Sequence, residues 1–248
     1  SEIQNIEIIN KINRISRKVQ YHHFGNNLGI ATALNTAAAF ALRKGFSHLL
    51  TMDQDSSFDK KNIMLLIKTA DRNKKEKYAV IAPVFHLMTM IVKTIQSKSG
   101  ILTEVKSVIT SGGILNLESF CSAGGFIEKL FIDQVDHEFC LRARKYGYKT
   151  YILRDCFLNH KLGESEKVKF LFLKSNITNH SYVRRYYMTR NCLYLASHYW
   201  SEIPETIRKM TADNFKMIIF EKEKLKKIRS IMLGVFDFLR GHYGKYNY

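Results

Sequence analysis

Proline is nearly absent from this 248-residue chain: only Pro83 and Pro204 occur. Collagen-like and proline-rich linker classes are thereby excluded. Cysteine is sparse as well. Cys121, Cys140, Cys156 and Cys192 are scattered, and none forms a Cys-x-x-Cys pair, so the spacing of a structural zinc site is missing. Isolated cysteines of this kind fit a reducing compartment. No apolar run reaches the ~18 residues of a membrane-spanning helix, and no signal-peptide pattern opens the sequence. The expected location is cytoplasmic, with contact at the inner face of the plasma membrane left open. Acidic residues are short in supply too: 22 against 39 lysines and arginines, for a net charge of +17. Such a charge favours anionic partners, whether nucleic acid, a lipid surface or a phosphorylated substrate. It is concentrated late, with 16 basic and 6 acidic residues from Lys167 onward.

What the chain does contain is enough apolar residue, 46%, to build a core. No internal repeat interrupts it. Residues 1–20 read as a helix leading into a strand, and Val19 to Phe24 has strand composition. Asn26-Asn27-Leu28-Gly29 reads as a turn. The alanine-rich stretch Ile30 to Lys44 reads as a helix stopped at Gly45. Ser47 to Met52 reads as a buried strand, Asn62 to Asn73 as a helix and Tyr78 to Phe85 as a strand. Residues 86–110 resist assignment and are expected to edge a binding cleft. Cys121 to Phe126 reads as a turn-rich stretch. Asp136 to Lys145 fits a helix stopped by Gly147, followed by a strand over Tyr148 to Leu153. This alternation argues an α/β fold with a largely parallel sheet. Residues from about 167 onward read as helical and basic, which divides the chain into a catalytic domain, 1–166, and a helical C-terminal extension, 167–248.

Four constellations carry chemistry. Asp53-x-Asp55 closes an apolar strand, where ligands of open α/β sheets gather; two carboxylates there can share Mg²⁺ or Mn²⁺ and so clamp a diphosphate. Asp133-x-x-Asp136-x-Glu138 precedes a helix and offers either a general base or first-turn capping. His160 can complete a metal site begun by carboxylates, or it is structural. Arg184-Arg185-Tyr186-Tyr187 with Arg190-Asn191 interleaves basic and aromatic groups. That suits phosphate, a membrane interface, a nucleic-acid groove or an amphipathic helix packed on the core.

In order and spacing, these blocks resemble the inverting family 2 glycosyltransferases of GT-A (Rossmann-like) fold, and within them the bacterial rhamnosyltransferases. The resemblance runs from about Tyr21 to Asn191. It is carried by Asn27-Leu28-Gly29-Ile30-Ala31 with Asn35, by Met52-Asp53-Gln54-Asp55-Ser56 and by Ser111-Gly112-Gly113. The most specific part is Gly124-Gly125-Phe126 with the run Phe131 to Arg144 and Gly147-Tyr148. His160-x-x-Gly163 and Tyr186-Tyr187-x-x-Arg190-Asn191 complete it.

The resemblance implies roles. Asp136 is the expected catalytic base. Asn27, Gly29, Asp53 and Asp55 are the expected donor and nucleotide residues, and Asp55 with His160 the metal ligands. Glu138, Gly113 and Arg190 are expected to hold the acceptor or support the site. The implied donor is a dTDP- or UDP-sugar, with rhamnose favoured. The acceptor is a saccharide or lipid-linked saccharide of a surface polysaccharide, and the basic C-terminal region is the expected membrane contact. Members of the family open with two strands and a base-binding aspartate that have no counterpart before Ser1, so a sheet lacking its first strands is expected. Two rivals stay open: a metal-dependent nucleotidyltransferase, whose glycine- and basic-rich N-terminal loop is not visible here, and a basic nucleic-acid-binding module, which no recognisable motif supports.

Overall fold

A computed structural model describes residues 14, 19–85, 101–160, 166–170, 173–177 and 179–247. The expected helix over 1–20, the cleft edge over 86–100 and Lys161–Gly163 of the His160 motif lie wholly or largely outside the described residues. The described elements are α1 (Ile30–Arg43), β1 (His48–Leu50), β2 (Ser56–Ser57), α2 (Lys60–Arg72), β3 (Tyr78–Phe85), β4 (Leu102–Val105), β5 (Ile114–Asn116), α3 (Leu117–Ala123), α4 (Val135–Lys145), β6 (Lys149–His160), β7 (Glu166–Phe170), β8 (Leu173–Ile177), α5 (Tyr182–Tyr199), α6 (Pro204–Phe220) and α7 (Lys224–Arg240).

The fold is α/β. The sheet order is β1-β5-β3-β6-β2, with β4 on the far side of β6. β3 and β6 pair in parallel, and β1 runs the same way as both. β5 lies between β1 and β3, opposed to each, while β4 and β2 oppose β6. The long strands thus share one direction and short opposed strands fill the gaps.

β3 is buried along seven of its eight residues, as its unbroken apolar run requires of a strand covered on both faces. Pro83 is tolerated inside it for two reasons. β5 pairs only with Val80 and Ile81, and the register against β6 breaks immediately after Pro83. Side chains alternate between faces. Val80, Ala82 and Leu115 pack toward α1, α3 and α4, whereas Ile81, Ile114 and Leu153 pack toward α2. Tyr194, Leu195, Tyr199 and Ile203 join the first of these cores, which therefore continues across residue 166.

Three expectations are corrected. Val19–Phe24 forms no strand in the structure; its aromatic composition serves a cleft wall instead. Cys121–Ala123 is the end of α3, capped by the Asn116 side chain and closed at Gly124 in the left-handed conformation. The C-terminal region opens with the antiparallel hairpin β7–β8, not a helix. Lys167-Val168-Lys169-Phe170 does alternate with period two, but the strand is too short and too basic to stand out.

Candidate active site

Asp53 to Ser56 is a β-turn at the end of β1, with the Ser56 amide donating to the Asp53 carbonyl at 3.1 Å. Asp53, Gln54 and Asp55 are all exposed on it. The turn feeds β2, whose register sets Ser56 opposite His160. His160, placed by its backbone, thus ends β6 one residue across from Asp55. Aspartate and histidine are residue types suited to Mg²⁺ or Mn²⁺, and here they fall at neighbouring register positions of the backbone. Among the described residues no three His, Cys, Asp or Glu side chains are already gathered as a metal cluster.

Asp136 stands in the first turn of α4. Its Oδ2 accepts from the Thr110 amide at 3.3 Å, and its Oδ1 from the His137 amide at 2.9 Å. The same loop, 110–113, is stitched to the β1 end. Thr51 Oγ1 donates to the carbonyls of Thr110 (2.5 Å) and Gly113 (3.2 Å). The Thr51 amide donates to Gly113 and accepts through its carbonyl from Gly112. The Asp53 amide donates to Ser111 Oγ at 3.2 Å, which also lies 2.8 Å from Ser56 Oγ. One short loop therefore fixes the carboxylate turn and the Asp136 helix to each other. Gly113 serves this packing: a Cβ there would meet Val80 at 3.0 Å and the Thr110 carbonyl at 3.2 Å. Thr51 and Thr110 went unnoticed in the sequence; their only signal was adjacency to the triplet and to Ser111-Gly112-Gly113.

On the other side of the turn, a cleft of about 590 Å³ brings Asn27, Gly29 and Gln54 together with Tyr21 to Phe24, Phe131 and Ile132. Asn27 Oδ1 accepts from the Gly29 amide at 3.1 Å, which shapes the loop. A larger cleft of about 700 Å³ between α1 and β1 is lined, among the described residues, by Tyr21, His22, Phe40, Phe46 and His48 and by no carboxylate.

The segment before α4 is held in an unusual shape. Phe131, Asp133 and Gln134 all have positive φ, at 68°, 60° and 63°. L-residues with side chains avoid this region, so the neighbours must impose it. Asn191 Nδ2 donates to the carbonyls of Leu130, Ile132 and Asp133 at 2.9, 2.7 and 2.9 Å. Arg190, with 0% exposure, donates to the carbonyls of Leu130, Lys129 and Gly244 and to Tyr186 Oη. Tyr187 stacks on Phe131 at 5.3 Å. Asp133 Oδ2 and Gln134 Oε1 are buried without a hydrogen-bond partner among the described residues. Burial pushes the Asp133 carboxyl up, and Arg184 at 3.2 Å pulls it part of the way back.

These contacts correct the surface reading of the tyrosine-arginine block. Arg185, Tyr186, Tyr187, Arg190 and Asn191 are buried, and Arg185 pairs with buried Glu221 at 2.5 Å. They do not form a membrane face. Of the two roles expected for Glu138, the contacts are those of support. It is fully buried, bonded through both oxygens to Arg142 at 2.8 Å and to Tyr199 Oη at 2.8 Å. Arg142 then reaches the carbonyls of Ala123 and Gly125. Glu138 orders the Gly124-Gly125 turn and presents no oxygen to an acceptor.

The family model for glycosyl transferase family 2 matches residues 5–97. The dTDP-rhamnosyl transferase RfbF of Shigella flexneri is 31% identical over 93% of this chain and 82% of its own length. The chain belongs to glycosyl transferase family 2. It is thus a glycosyltransferase. A solved structure of GalNAc-T7 with UDP, GalNAc and Mn²⁺ shares the fold at a TM-score of 0.56 and 12% identity. That match covers 96% of this glycosyltransferase and 50% of that chain.

Proposed function

We propose that this glycosyltransferase moves rhamnose from dTDP-rhamnose to a hydroxyl of a saccharide or lipid-linked acceptor, inverting the anomeric centre. The observation that carries the chemistry is the 110–113 loop, which holds Asp136 and the Asp53–Asp55 turn in one frame. The Shigella flexneri relative, by its name a dTDP-rhamnosyl transferase, supports the choice of sugar and nucleotide.

Asp136 takes the proton of the acceptor hydroxyl as that oxygen bonds to the anomeric carbon. The bond from this carbon to the diphosphate oxygen breaks on the opposite face, and dTDP leaves with the electron pair. Asp53 meets the nucleotide, while Asn27, Gly29 and Gln54 wall its cleft. Asp55 and His160 would hold Mg²⁺ or Mn²⁺, which offsets the charge of the departing diphosphate.

The deciding experiment incubates the protein with Mn²⁺ or Mg²⁺ and a panel of dTDP-, UDP- and GDP-sugars, with and without saccharide acceptors. Release of dTDP from dTDP-rhamnose, together with an inverted linkage in the product, is expected. Preferential turnover of a different donor would overturn the assignment of the sugar. No turnover of any donor, with a folded protein, would overturn the site.

A further inference from the structure

Helix α7 is inside out. The positions it buries are Lys227, Ser230, Gly234 and Asp237, flanked by half-buried Leu233 and Phe238 against the neighbouring cores. Its outward face carries Leu225 at 84% exposure, Met232 at 66%, Phe236 at 47% and Leu239 at 73%. These positions recur at helical spacing and form one apolar stripe along the helix.

The four buried positions are small or polar because α7 crosses α5 at close range. A Cβ on Gly234 would come within 2.7 Å of the Tyr186 carbonyl. Asp237 accepts from Tyr186 Oη at 2.7 Å, and Lys227 pairs with Glu221 at 2.8 Å. The docked side is thus satisfied by polar contacts. Leu225, Met232, Phe236 and Leu239 face away from the protein, where water makes their exposure unfavourable.

The charges around the stripe are mostly basic, the one exposed acid being Glu223 at the N-cap, which pairs with Lys226 at 2.6 Å. Lys224, Lys226, Arg229 and Arg240 are exposed, and Asp237, the helix's single acid, is turned inward. A two-fold contact with a second copy would crowd these cations against their own kind. An apolar stripe bordered by lysine and arginine, on a helix too polar to cross a membrane, matches a helix lying in the plane of an anionic bilayer.

We infer that α7 docks the protein on an anionic lipid surface, with Leu225, Met232, Phe236 and Leu239 entering the head-group boundary and the basic residues contacting lipid phosphates. This moves the membrane contact from the tyrosine-arginine block to the far side of the helix packed against it. It also gives the contact a consequence. α5, gripped by α7, carries the Arg190-Asn191 pair that holds the segment before Asp136. A surface-bound α7 thereby fixes how the catalytic helix is presented to an acceptor at the bilayer. The docking does not depend on which sugar is transferred.

Flotation of the intact chain with vesicles tests this. One set is phosphatidylcholine alone, the other phosphatidylcholine with phosphatidylglycerol. Flotation with the anionic vesicles is expected, weakening as salt rises. The triple variant Met232→Ser, Phe236→Ser, Leu239→Ser and the double variant Lys224→Glu, Arg229→Glu should each lose at least about ten-fold in binding while melting as the parent does. No flotation with anionic vesicles, or wild-type flotation by either variant, would overturn the inference. So would a dimer in sedimentation that the triple variant abolishes, with no vesicle binding.

Discussion

A Cβ on Gly29 would stand 2.6 Å from the carbonyl oxygen of Phe131, the same oxygen that accepts from the Ile30 amide at 2.8 Å. Helix α1 thus starts directly against the segment that precedes Asp136. Gly29 also has φ 87° and ψ 167°, a region essentially closed to residues with a side chain. Gly29→Ala should fail on both counts. Backbone strain costs about 1–3 kcal/mol and the clash a similar amount. At roughly 2–4 °C per kcal/mol for a chain of this length, melting falls by several degrees, and donor KM rises because the cleft wall shifts. An alanine variant with unchanged melting and KM would show that this contact is dispensable.

Asn191 bonds three carbonyls with one amide nitrogen. Asn191→Ala leaves them bare, at about 1–3 kcal/mol for each buried acceptor that finds no water. Asn191→Asp is expected to be worse, because a carboxylate would face three carbonyl oxygens with no donor to offer. In both, kcat should fall and donor KM should rise, since the segment leads into Asp136 and its Phe131 and Ile132 wall the donor cleft. Melting curves and steady-state kinetics on the two variants check the ranking. An aspartate variant milder than alanine would contradict it.

Removing the proposed base separates chemistry from binding. Asp136→Asn keeps the size of the side chain and an oxygen for the Thr110 amide, so the loop should stay in place. Transfer is expected to drop by ~10²–10⁴-fold, while dTDP affinity by calorimetry stays near that of the parent. Near-normal turnover would remove Asp136 from the reaction.

The metal assignment rests on Asp55 and on the register that brings His160 across from Ser56. EDTA should abolish transfer, and added Mn²⁺ or Mg²⁺ should restore it. Asp55→Asn should need much more metal for half-maximal rate, because one charged oxygen ligand is lost. Full activity in excess chelator would leave the Asp53–Asp55 turn as a contact for nucleotide hydroxyls alone.

Much of this was legible in the sequence where local pattern and tertiary demand agree. β3 showed itself because a strand covered on both faces has an unbroken apolar run. α1 showed itself through alanine content and the Gly45 stop. The local pattern around Asp136 marked a helix start, which the structure has, but left base and cap open; only the resemblance singled it out as the base. The strained segment was not legible: Phe131, Asp133 and Gln134 carry no glycine-like mark, and their left-handed backbones are imposed from 60 residues away by Asn191. The tyrosine-arginine block could not be decided for the same reason: a packed helix was one of several open readings, and it is the one the structure has. Interleaved rings and cations have one composition whether they face lipid or, as Arg190 does here, bury a guanidinium among carbonyls and the rings of Tyr186, Tyr187 and Tyr243.

Asp133 gives a pH test of that strained segment. Burial raises its carboxyl above the ordinary range, and the Arg184 partner offsets only part of the shift. A carboxyl raised on folding favours the native state when protonated. That contribution is complete below the unfolded carboxylate range and disappears as pH rises through the raised value. Asp133→Asn stays neutral throughout. The melting temperature of the variant should therefore gain on that of the parent as pH climbs from the ordinary carboxylate range through the raised one, then level off. Arg184→Ala should enlarge the effect by removing the cation that counters desolvation. A difference that is flat with pH, or that moves toward the parent, would mean that the 3.2 Å pair with Arg184 outweighs the burial of Asp133.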